Sequence, residues 1–202
     1  MAKLISIIGP DGAGKTTLID NLITKLSKNG FSPKYVWFRF PRFTTFFILL
    51  IGKITGFTKY EKKSGFKIVI HTFNKKPFKS VFPLLVTLDA VIFYMFKIWL
   101  PMKLGRIIVC DRWLPDIIVD IAIDTNNPKF LKTFTGRMLA RFSDKADLIL
   151  LLDATDDKLD ERRPISKFEP YVELRRSIYR NDIIHFHNVF LVDTNISLEV
   201  SS

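Results

Sequence analysis

The chain has 202 residues, of which 48% are hydrophobic and 25% are charged, and this composition excludes an intrinsically disordered protein. Its one cysteine, Cys110, excludes an intramolecular disulfide and gives no sign of an oxidising compartment, so we expect a cytoplasmic protein. The net charge of +11 favours polyanionic ligands such as nucleotides, and it is equally compatible with a solvated basic surface.

No membrane-spanning helix is expected. The most apolar region, 80–101, is interrupted by Pro83, Asp89 and Lys97, whereas a spanning helix needs about 20 consecutive, mostly uncharged apolar residues. The uncharged run 43–52 is too short to span a bilayer. We interpret both regions as buried or interface helices, with contact at a membrane surface as the minor alternative.

The predicted strands are continuous apolar runs rich in β-branched residues. They lie at 3–8, 34–40, 106–110, 147–152 and 189–192. Helical patterns occupy 15–28, parts of 43–100, 115–142 and 156–181. Apolar runs without alternation indicate strands covered on both faces, and alternating strands and helices predict right-handed crossovers. We therefore expect one α/β domain over residues 1–202, a doubly wound five-stranded parallel sheet with helices on both faces.

Polar groups gather at the carboxyl ends of the predicted strands, where ligands bind in open parallel sheets. These groups are the glycine-rich segment 9–15, Arg39, the pair 111–112, Asp153 and Asp193. Because parallel strands end at the same edge of a sheet, we expect the groups to lie close together.

Residues 9–16 match the pattern G-x-x-x-x-G-K-[ST] in full, between an apolar strand and a helical pattern. The glycines let the backbone curl so that several N–H groups point at phosphates, and the following helix adds the positive end of its dipole. We expect Lys15 to reach the β- and γ-phosphates of ATP and the Thr16 hydroxyl to bind Mg²⁺. The predicted nucleotide-binding residues are Gly9, Asp11, Gly12, Ala13, Gly14, Lys15, Thr16 and Thr17.

Asp111 and Arg112 follow the third predicted strand. An aspartate at this place in a phosphate-loop fold organises Mg²⁺, either directly or through water. The planar guanidinium of Arg112 can form two hydrogen bonds with one phosphate. The alternative is a structural role, in which the aspartate starts a helix and the arginine forms an ion pair.

The segment 156–168 is charged and interrupted by Pro164, and we interpret it as a lid. A basic lid can close over a triphosphate and neutralise charge that develops during phosphoryl transfer, and Arg162 and Arg163 are the candidates for this role. The alternative is a solvated helix end, because 156–180 carries seven basic and six acidic side chains.

Taken in order, these motifs resemble the thymidylate kinase family of nucleoside monophosphate kinases over nearly the whole chain. Residues 9–17 are similar to its phosphate loop, 39–41 (Arg-Phe-Pro) to its segment after the second strand, and 111–113 (Asp-Arg-Trp) to its Asp-Arg-aromatic motif. The resemblance implies a P-loop nucleotide kinase fold. It also implies transfer of the γ-phosphoryl group of ATP to a nucleoside monophosphate, with thymidylate as the first candidate acceptor.

The resemblance further implies roles for single residues. Arg39 and Arg112 would hold the acceptor phosphate, and Asp11 would face the acceptor sugar. Gly12 occupies the loop position that carries a catalytic arginine in other members, so the lid would supply that arginine here. The acceptor-binding region corresponds to 41–105. The implied catalytic residues are Lys15, Arg112, Arg162, Arg163 and Asp11.

The acceptor half departs from the family pattern. The family reads thymine with an arginine on the helix before the third strand, whereas the stretch 84–91 contains no arginine and one charge, Asp89. Leu114, Pro115 and Asp116 stand where the family has polar residues that line the nucleoside. We therefore expect a rebuilt acceptor site. Its candidate residues are Arg39, Pro41, Asp89, Arg112, Trp113 and Asp116.

Twelve of the 19 phenylalanines lie between Phe38 and Phe96. An exposed apolar helix face usually marks a partner surface, so we expect a core together with a homodimer interface, and a hydrophobic or lipid-like ligand is the alternative. The segment 53–79 holds eight lysines and one acidic residue, Glu61. Nucleic acid is not an expected partner.

Two other functions stay open. In the first, ATP phosphorylates a nucleoside or another hydroxyl compound, with Asp11 or Asp116 as the base. In the second, the protein is a nucleotide-gated binding protein that uses segment 53–79 and the phenylalanine-rich helices for a partner, without acceptor turnover. A small-molecule nucleotide substrate is the primary expectation, with ATP and Mg²⁺ as cofactors.

Overall fold

The computed structural model describes residues 3–39, 44–63, 66–71, 73, 78–169 and 171–195. Pro41, which the sequence assigns to the acceptor site, lies outside these residues. In chain order the elements are β1 (Leu4–Ile8), α1 (Lys15–Lys28), β2 (Pro33–Trp37), α2 (Thr45–Ile54), β3 (Thr58–Lys63), β4 (Phe66–His71), α3 (Phe78–Phe93), α4 (Leu100–Lys103), β5 (Ile107–Asp111), α5 (Leu114–Asp124), α6 (Phe134–Ser143), β6 (Leu148–Asp153), α7 (Asp156–Arg162), α8 (Val172–Asn181) and β7 (Val189–Asp193).

The five predicted strands form one parallel sheet in the order β2-β5-β1-β6-β7. β1 lies at the centre, and all five of its residues are buried. The prediction of an α/β protein with a five-stranded parallel sheet flanked by helices is confirmed. β2 ends at Trp37, before the predicted end at residue 40.

Both faces of the sheet are covered, as its continuous apolar runs predict. Along β5, Ile108 and Cys110 belong to the larger core, which includes side chains of α3, α5, α6 and α8. The residue between them, Val109, packs on the opposite face with Ile7 and Ile19, where α1 covers the sheet. Enclosure on both sides leaves the carboxyl edge of the sheet as the place where polar side chains can meet.

An antiparallel hairpin of β3 and β4 lies within the region for which the sequence predicts only helical segments. Thr58 pairs with His71 at one end of the hairpin, and Lys63 pairs with Phe66 at the other. Each strand has six residues, so periodicity read over longer windows conceals them. The Ser-Gly dipeptide between the strands is the turn signal that could have revealed the hairpin.

α3 continues through a π-helical segment, Tyr94–Trp99, into α4, so that one helix of 26 residues spans Phe78–Lys103. Among the described residues it is the one helix whose length and composition alone would allow it to cross a membrane. A core helix of a soluble protein meets the same criteria, and Phe82 and Ile98 of this helix are indeed buried in the larger core. The expected absence of a membrane span therefore stays a prediction.

Candidate functional site

The loop between β1 and α1 has a conformation that depends on glycine. Gly9 and Gly12 have φ angles of 130° and 89°, in the region that other residues rarely adopt. A Cβ at Gly9 would lie 2.1 Å from the carbonyl oxygen of Leu152, and one at Gly12 would lie 2.9 Å from that of Leu159. Backbone conformation and the close approach of β6 and α7 therefore both require glycine.

Backbone N–H groups of the loop and of the first turn of α1 lack protein acceptors. Gly14 precedes α1, and no side chain caps the helix. Unpaired N–H groups at a helix N-terminus, together with the positive end of the helix dipole, form a binding site for a phosphate anion. Six N–H groups of the loop and of this first turn donate no hydrogen bond to the described residues, namely those of Asp11, Gly12, Gly14, Lys15, Thr16 and Thr17.

The Lys15 ammonium lies inside the loop. It donates hydrogen bonds to the carbonyl oxygens of Gly9 (3.0 Å) and Pro10 (2.6 Å), and its Nζ is 3.5 Å from the Asp11 carboxylate. Burial, together with the nearby charge of Arg112, lowers the pKa of Lys15 to about 8. An anion that enters the loop would stabilise the ammonium form and raise this pKa again.

Arg112 connects the phosphate loop with the helices behind it. Its guanidinium donates hydrogen bonds to the Gly9 carbonyl oxygen (2.7 Å), to Asp116 Oδ1 (2.9 Å) and to the Asp11 carboxylate. Asp116 Oδ1 also accepts a hydrogen bond from the Tyr179 hydroxyl (2.6 Å). The φ of Arg112 is 73°, a strained value for a residue with a side chain, and such strain persists where surrounding contacts hold it, often at functional sites.

Asp11 lies among cations. Its carboxylate forms ion pairs with Arg112, with Lys15 and with Arg163, whose Nη1 is 2.8 Å from Asp11 Oδ2. Burial alone would raise the pKa of Asp11, but the charges of Arg112, Lys15 and Arg163 hold it well below its usual range. A carboxylate with so low a pKa is ionised at neutral pH and is a weak base.

A cleft of about 500 Å³ over the phosphate loop brings most of the predicted site residues together. Five of its side chains are cationic and two are carboxylates, so the lining has a net positive charge. Trp37, at the end of β2, is the lining residue that sequence reasoning missed, because an aromatic residue in a strand usually packs in a core. The lining residues are Asp11, Gly12, Gly14, Lys15, Thr16, Thr17, Trp37, Arg39, Asp111, Arg112, Arg162 and Arg163.

The two lid arginines have different partners. Arg163, directly after α7, pairs with Glu169 at 2.7 Å in addition to Asp11. Arg162, the last residue of α7, donates a hydrogen bond to the carbonyl oxygen of Thr194 beyond β7 (2.7 Å). The structure therefore brings Arg163 to the phosphate loop, whereas Arg162 joins the lid to the segment that follows β7.

Thr16 and Asp111 fit the requirements of Mg²⁺, because both line the cleft and offer the oxygen ligands that this ion prefers. Asp111 Oδ2 accepts a hydrogen bond from the Tyr35 hydroxyl (3.0 Å). Burial, together with this bond, raises the pKa of Tyr35 to about 12, so the hydroxyl remains protonated. No cluster of three or more His, Cys, Asp or Glu side chains forms a metal site in the described ranges, so phosphate oxygens or water would complete the coordination.

Asp89, a predicted acceptor-site residue, has hydrogen-bond partners within the chain. Its fully buried carboxylate accepts hydrogen bonds from the backbone N–H groups of Thr44 and Thr45, both at 2.8 Å. The same carboxylate accepts a bond from the Thr44 hydroxyl (2.7 Å). Asp89 therefore holds the first turn of α2, and it does not line the cleft. The sequence could not show this, because the partner helix lies 44 positions earlier in the chain.

Trp113 and Asp116 also lie behind the cleft and do not line it. The Trp113 ring is fully buried, and its Nε1 donates a hydrogen bond to the carbonyl oxygen of Ser143 (3.0 Å). Asp116 is buried and accepts hydrogen bonds from Arg112 and Tyr179. Asp116 therefore supports Arg112 of the cleft lining, whereas Trp113 belongs to the core.

Arg39 extends the cationic lining of the cleft towards α5. Its Nε is 3.7 Å from Asp120, and Asp120 in turn pairs with Arg175 of α8 at 2.5 Å. Asp120 is thus a second carboxylate between cations, and its ion pair with Arg39 is longer than the hydrogen bond between Asp116 and Arg112.

Asp153 and Asp193 end β6 and β7 at the expected edge of the sheet, but they line a separate cleft of about 500 Å³. Asp153 pairs with Arg180 at 2.6 Å, and Asp193 accepts a hydrogen bond from the Asn195 backbone N–H (2.9 Å). Both side chains therefore have structural partners, and the phosphate-loop cleft does not include them.

A comparison of the chain with protein-family models gives no match, and a comparison with curated proteins gives no significant match. The cleft is therefore interpreted from its own geometry and chemistry.

We expect Asp89→Ala to lower the free energy of unfolding by about 1–3 kcal/mol, because it leaves the first turn of α2 without its buried acceptor. Chemical denaturation followed by circular dichroism measures this change. The control is Asp20→Ala on the exposed side of α1, which should change stability by less than about 0.5 kcal/mol. Equal stabilities of the two variants would contradict the capping role.

Proposed function

We propose that the protein is a Mg²⁺- and ATP-dependent nucleotide kinase that transfers the γ-phosphoryl group to a nucleoside monophosphate. One observation carries the proposal. Five cationic side chains, Thr16 and Asp111 line one cleft, directly over a loop and helix end in which six N–H groups have no acceptor among the described residues. The resemblance to the thymidylate kinase family supports the same reaction, a P-loop nucleotide kinase fold and thymidylate as the first candidate acceptor.

On the donor side, the loop N–H groups and Lys15 would bind the triphosphate, and Thr16 with Asp111 would hold Mg²⁺. When bound, Mg²⁺ would neutralise charge on the β- and γ-phosphates. Arg163 enters the cleft from the lid and is the better candidate of the two lid arginines for the γ-phosphoryl group. Positioning and charge stabilisation are the main demands of phosphoryl transfer, and these side chains supply both.

On the acceptor side, Arg39 and Arg112 would hold the phosphate of the nucleoside monophosphate. Their positions in the lining of the cleft support this role. An oxygen of that phosphate forms a bond to the γ-phosphorus, the bond to the β–γ bridging oxygen breaks, and ADP leaves with that oxygen. A nucleoside monophosphate already carries the nucleophilic oxyanion and needs no base. The low pKa of Asp11 and the engagement of Asp116 with Arg112 and Tyr179 disfavour a hydroxyl acceptor that would need one.

We expect nucleoside monophosphates, with thymidylate tested first, to stimulate ADP release from Mg²⁺-ATP, and the matching nucleosides to have no effect. Lys15→Ala should lower the rate at least about 100-fold, because it removes a charge that acts on the transferred group. Lys25→Ala, on the exposed side of α1, is the control and should keep full activity. Full activity in Lys15→Ala would exclude the mechanism. ATP binding without stimulation by any acceptor would favour the nucleotide-gated binding protein.

Asp11→Asn separates the two classes of acceptor. If Asp11 only positions cations, we expect kcat to fall less than about tenfold, with an unchanged pH profile, whereas loss of a general base lowers rates by about 10²–10⁴-fold. Steady-state kinetics between pH 6 and pH 9 provides the readout. A loss in the larger range with an altered pH profile would support phosphorylation of a hydroxyl compound.

The affinity for Mg²⁺-ATP should fall as the pH rises above about 8, the pKa of Lys15 in the free protein. Burial favours the neutral amine, whereas a bound triphosphate favours the ammonium, so binding above this pH must take up a proton. The dissociation constant should then rise by up to about tenfold per pH unit. Calorimetry in two buffers of different ionisation enthalpy measures the proton uptake. The Lys15→Arg variant stays charged at this pH, so it should bind Mg²⁺-ATP without proton uptake. Proton uptake by this variant would mean that another group titrates.

A further inference from the structure

A continuous apolar stripe lies on the solvent side of the helix that spans Phe78–Lys103. The spacing of its residues follows the helical repeat, and the helix is roughly 40 Å long. Buried residues such as Phe82 and Val86 lie on the other side of the helix and fix it to the core. The exposed residues of the stripe include Leu84, Leu88, Met95, Phe96, Trp99 and Leu100.

α2 packs beside α3 and enlarges this apolar surface. Phe47 is 64% exposed and Ile54 is 78% exposed, at positions seven residues apart on one side of the helix. A monomer rarely exposes so large a contiguous apolar surface, and a surface of this kind usually marks an interaction site. We call α2 together with the Phe78–Lys103 stripe the apolar face.

Charges on the apolar face have one sign. The helices that form it contain a single acidic residue, Asp89, whose carboxylate is buried against α2. α6, which packs against the same long helix through Phe142 and Tyr94, adds arginines and no acidic residue. The exposed basic residues of these helices are Lys53, Lys79, Lys97, Lys103, Arg137 and Arg141.

A basic cleft of about 310 Å³ adjoins the far end of the stripe. It is lined by Lys3, Trp99, Met102, Lys103, Lys145 and Asp147. Asp147 Oδ2 accepts hydrogen bonds from the backbone N–H groups of Lys3 (2.8 Å) and Leu4 (2.9 Å), so the chain itself engages the one carboxylate. The described residues give the Lys3, Lys103 and Lys145 ammonium groups no ion pair with a carboxylate.

We propose that the apolar face binds the surface of an anionic phospholipid bilayer and that the basic cleft receives a lipid phosphate. Trp99 lies where the stripe meets the cleft, and the Lys103 Nζ is 5.8 Å from the centroid of its ring. A tryptophan between apolar and charged groups, with lysines beside it, is the chemistry of the bilayer interface. Apolar side chains would enter the boundary of the acyl chains, and lysines would remain at the level of the headgroups.

Charge favours a bilayer over a second copy of the chain as the occupant. Because the helices of the apolar face carry basic residues and no exposed carboxylate, two copies that paired through it would bring like charges together. An anionic lipid surface supplies the opposite charge. Attachment of the long helix to the core through Phe82, Val86 and Ile98 favours binding at the surface over crossing of the membrane. This proposal does not depend on the kinase activity.

Co-sedimentation with vesicles tests the electrostatic part of the proposal. The 202-residue chain should bind vesicles that contain phosphatidylserine and should not bind vesicles of phosphatidylcholine alone. Lys103→Glu with Lys145→Glu should weaken binding about 30-fold or more, since each basic side chain near the surface contributes several-fold. The control is the double variant Lys25→Glu with Lys28→Glu on α1, which changes the net charge by the same amount as the first double variant. It should keep most of the vesicle binding. An equal loss in both double variants would mean non-specific attraction and would overturn the proposal.

Phe96→Asn tests the apolar part. Phe96 is 64% exposed, so its replacement should leave the fold intact, as circular dichroism can verify, while reducing binding to phosphatidylserine vesicles at least severalfold. The control is Phe190→Asn. Phe190 is 58% exposed on the edge strand β7, and this variant should bind vesicles like the unmodified protein. Light scattering measures whether the protein is a dimer. If Phe96→Asn dissociates a dimer and neither form binds vesicles, the apolar face is the interface with a second copy, and the proposal is overturned.

Discussion

The Arg112 guanidinium joins parts of the chain that are distant in sequence. It holds the Gly9 carbonyl oxygen and the Asp11 carboxylate of the phosphate loop, and it also binds Asp116 of α5, which accepts a bond from Tyr179 of α8. Breaking a buried ion pair from one side leaves an uncompensated charge, so these groups depend on one another. β5 ends beside β1, so that Arg112 lies next to the phosphate loop and can stabilise its conformation.

Carboxylates lie beside four of the five cations of the cleft, and the fifth, Arg162, binds the Thr194 carbonyl oxygen. Asp11 lies between Lys15, Arg112 and Arg163, while Asp120 lies between Arg39 and Arg175. A cation that is positioned in advance loses little rotamer freedom when a phosphate arrives, and this preorganisation is the main requirement for stabilising charge in phosphoryl transfer. The same ion pairs keep Asp11 ionised and weakly basic, so the cleft suits acceptors that are already anionic.

Much of the fold and most of the cleft lining could be predicted from the sequence, because local patterns encode them. The apolar runs gave the five strands, and the parallel arrangement brought 9–17, Asp111 and Arg112 to one edge. The contacts that the sequence could not reveal depend on distant partners. Asp89 caps a helix 44 positions earlier, and the Tyr35 hydroxyl reaches Asp111 across 76 positions through an edge strand whose neighbour is known only from the structure.

The cleft lined by cations, together with the unpaired N–H groups of the phosphate loop, should bind a nucleoside triphosphate. Titration of Mg²⁺-ATP into the protein by isothermal calorimetry tests this most directly. We expect one nucleotide to bind per chain. Binding should be lost when Lys15 is replaced by alanine, because the Lys15 ammonium lies inside the loop, on the Gly9 and Pro10 carbonyl oxygens. Absence of binding to the unmodified protein, or undiminished binding after the replacement, would contradict this expectation.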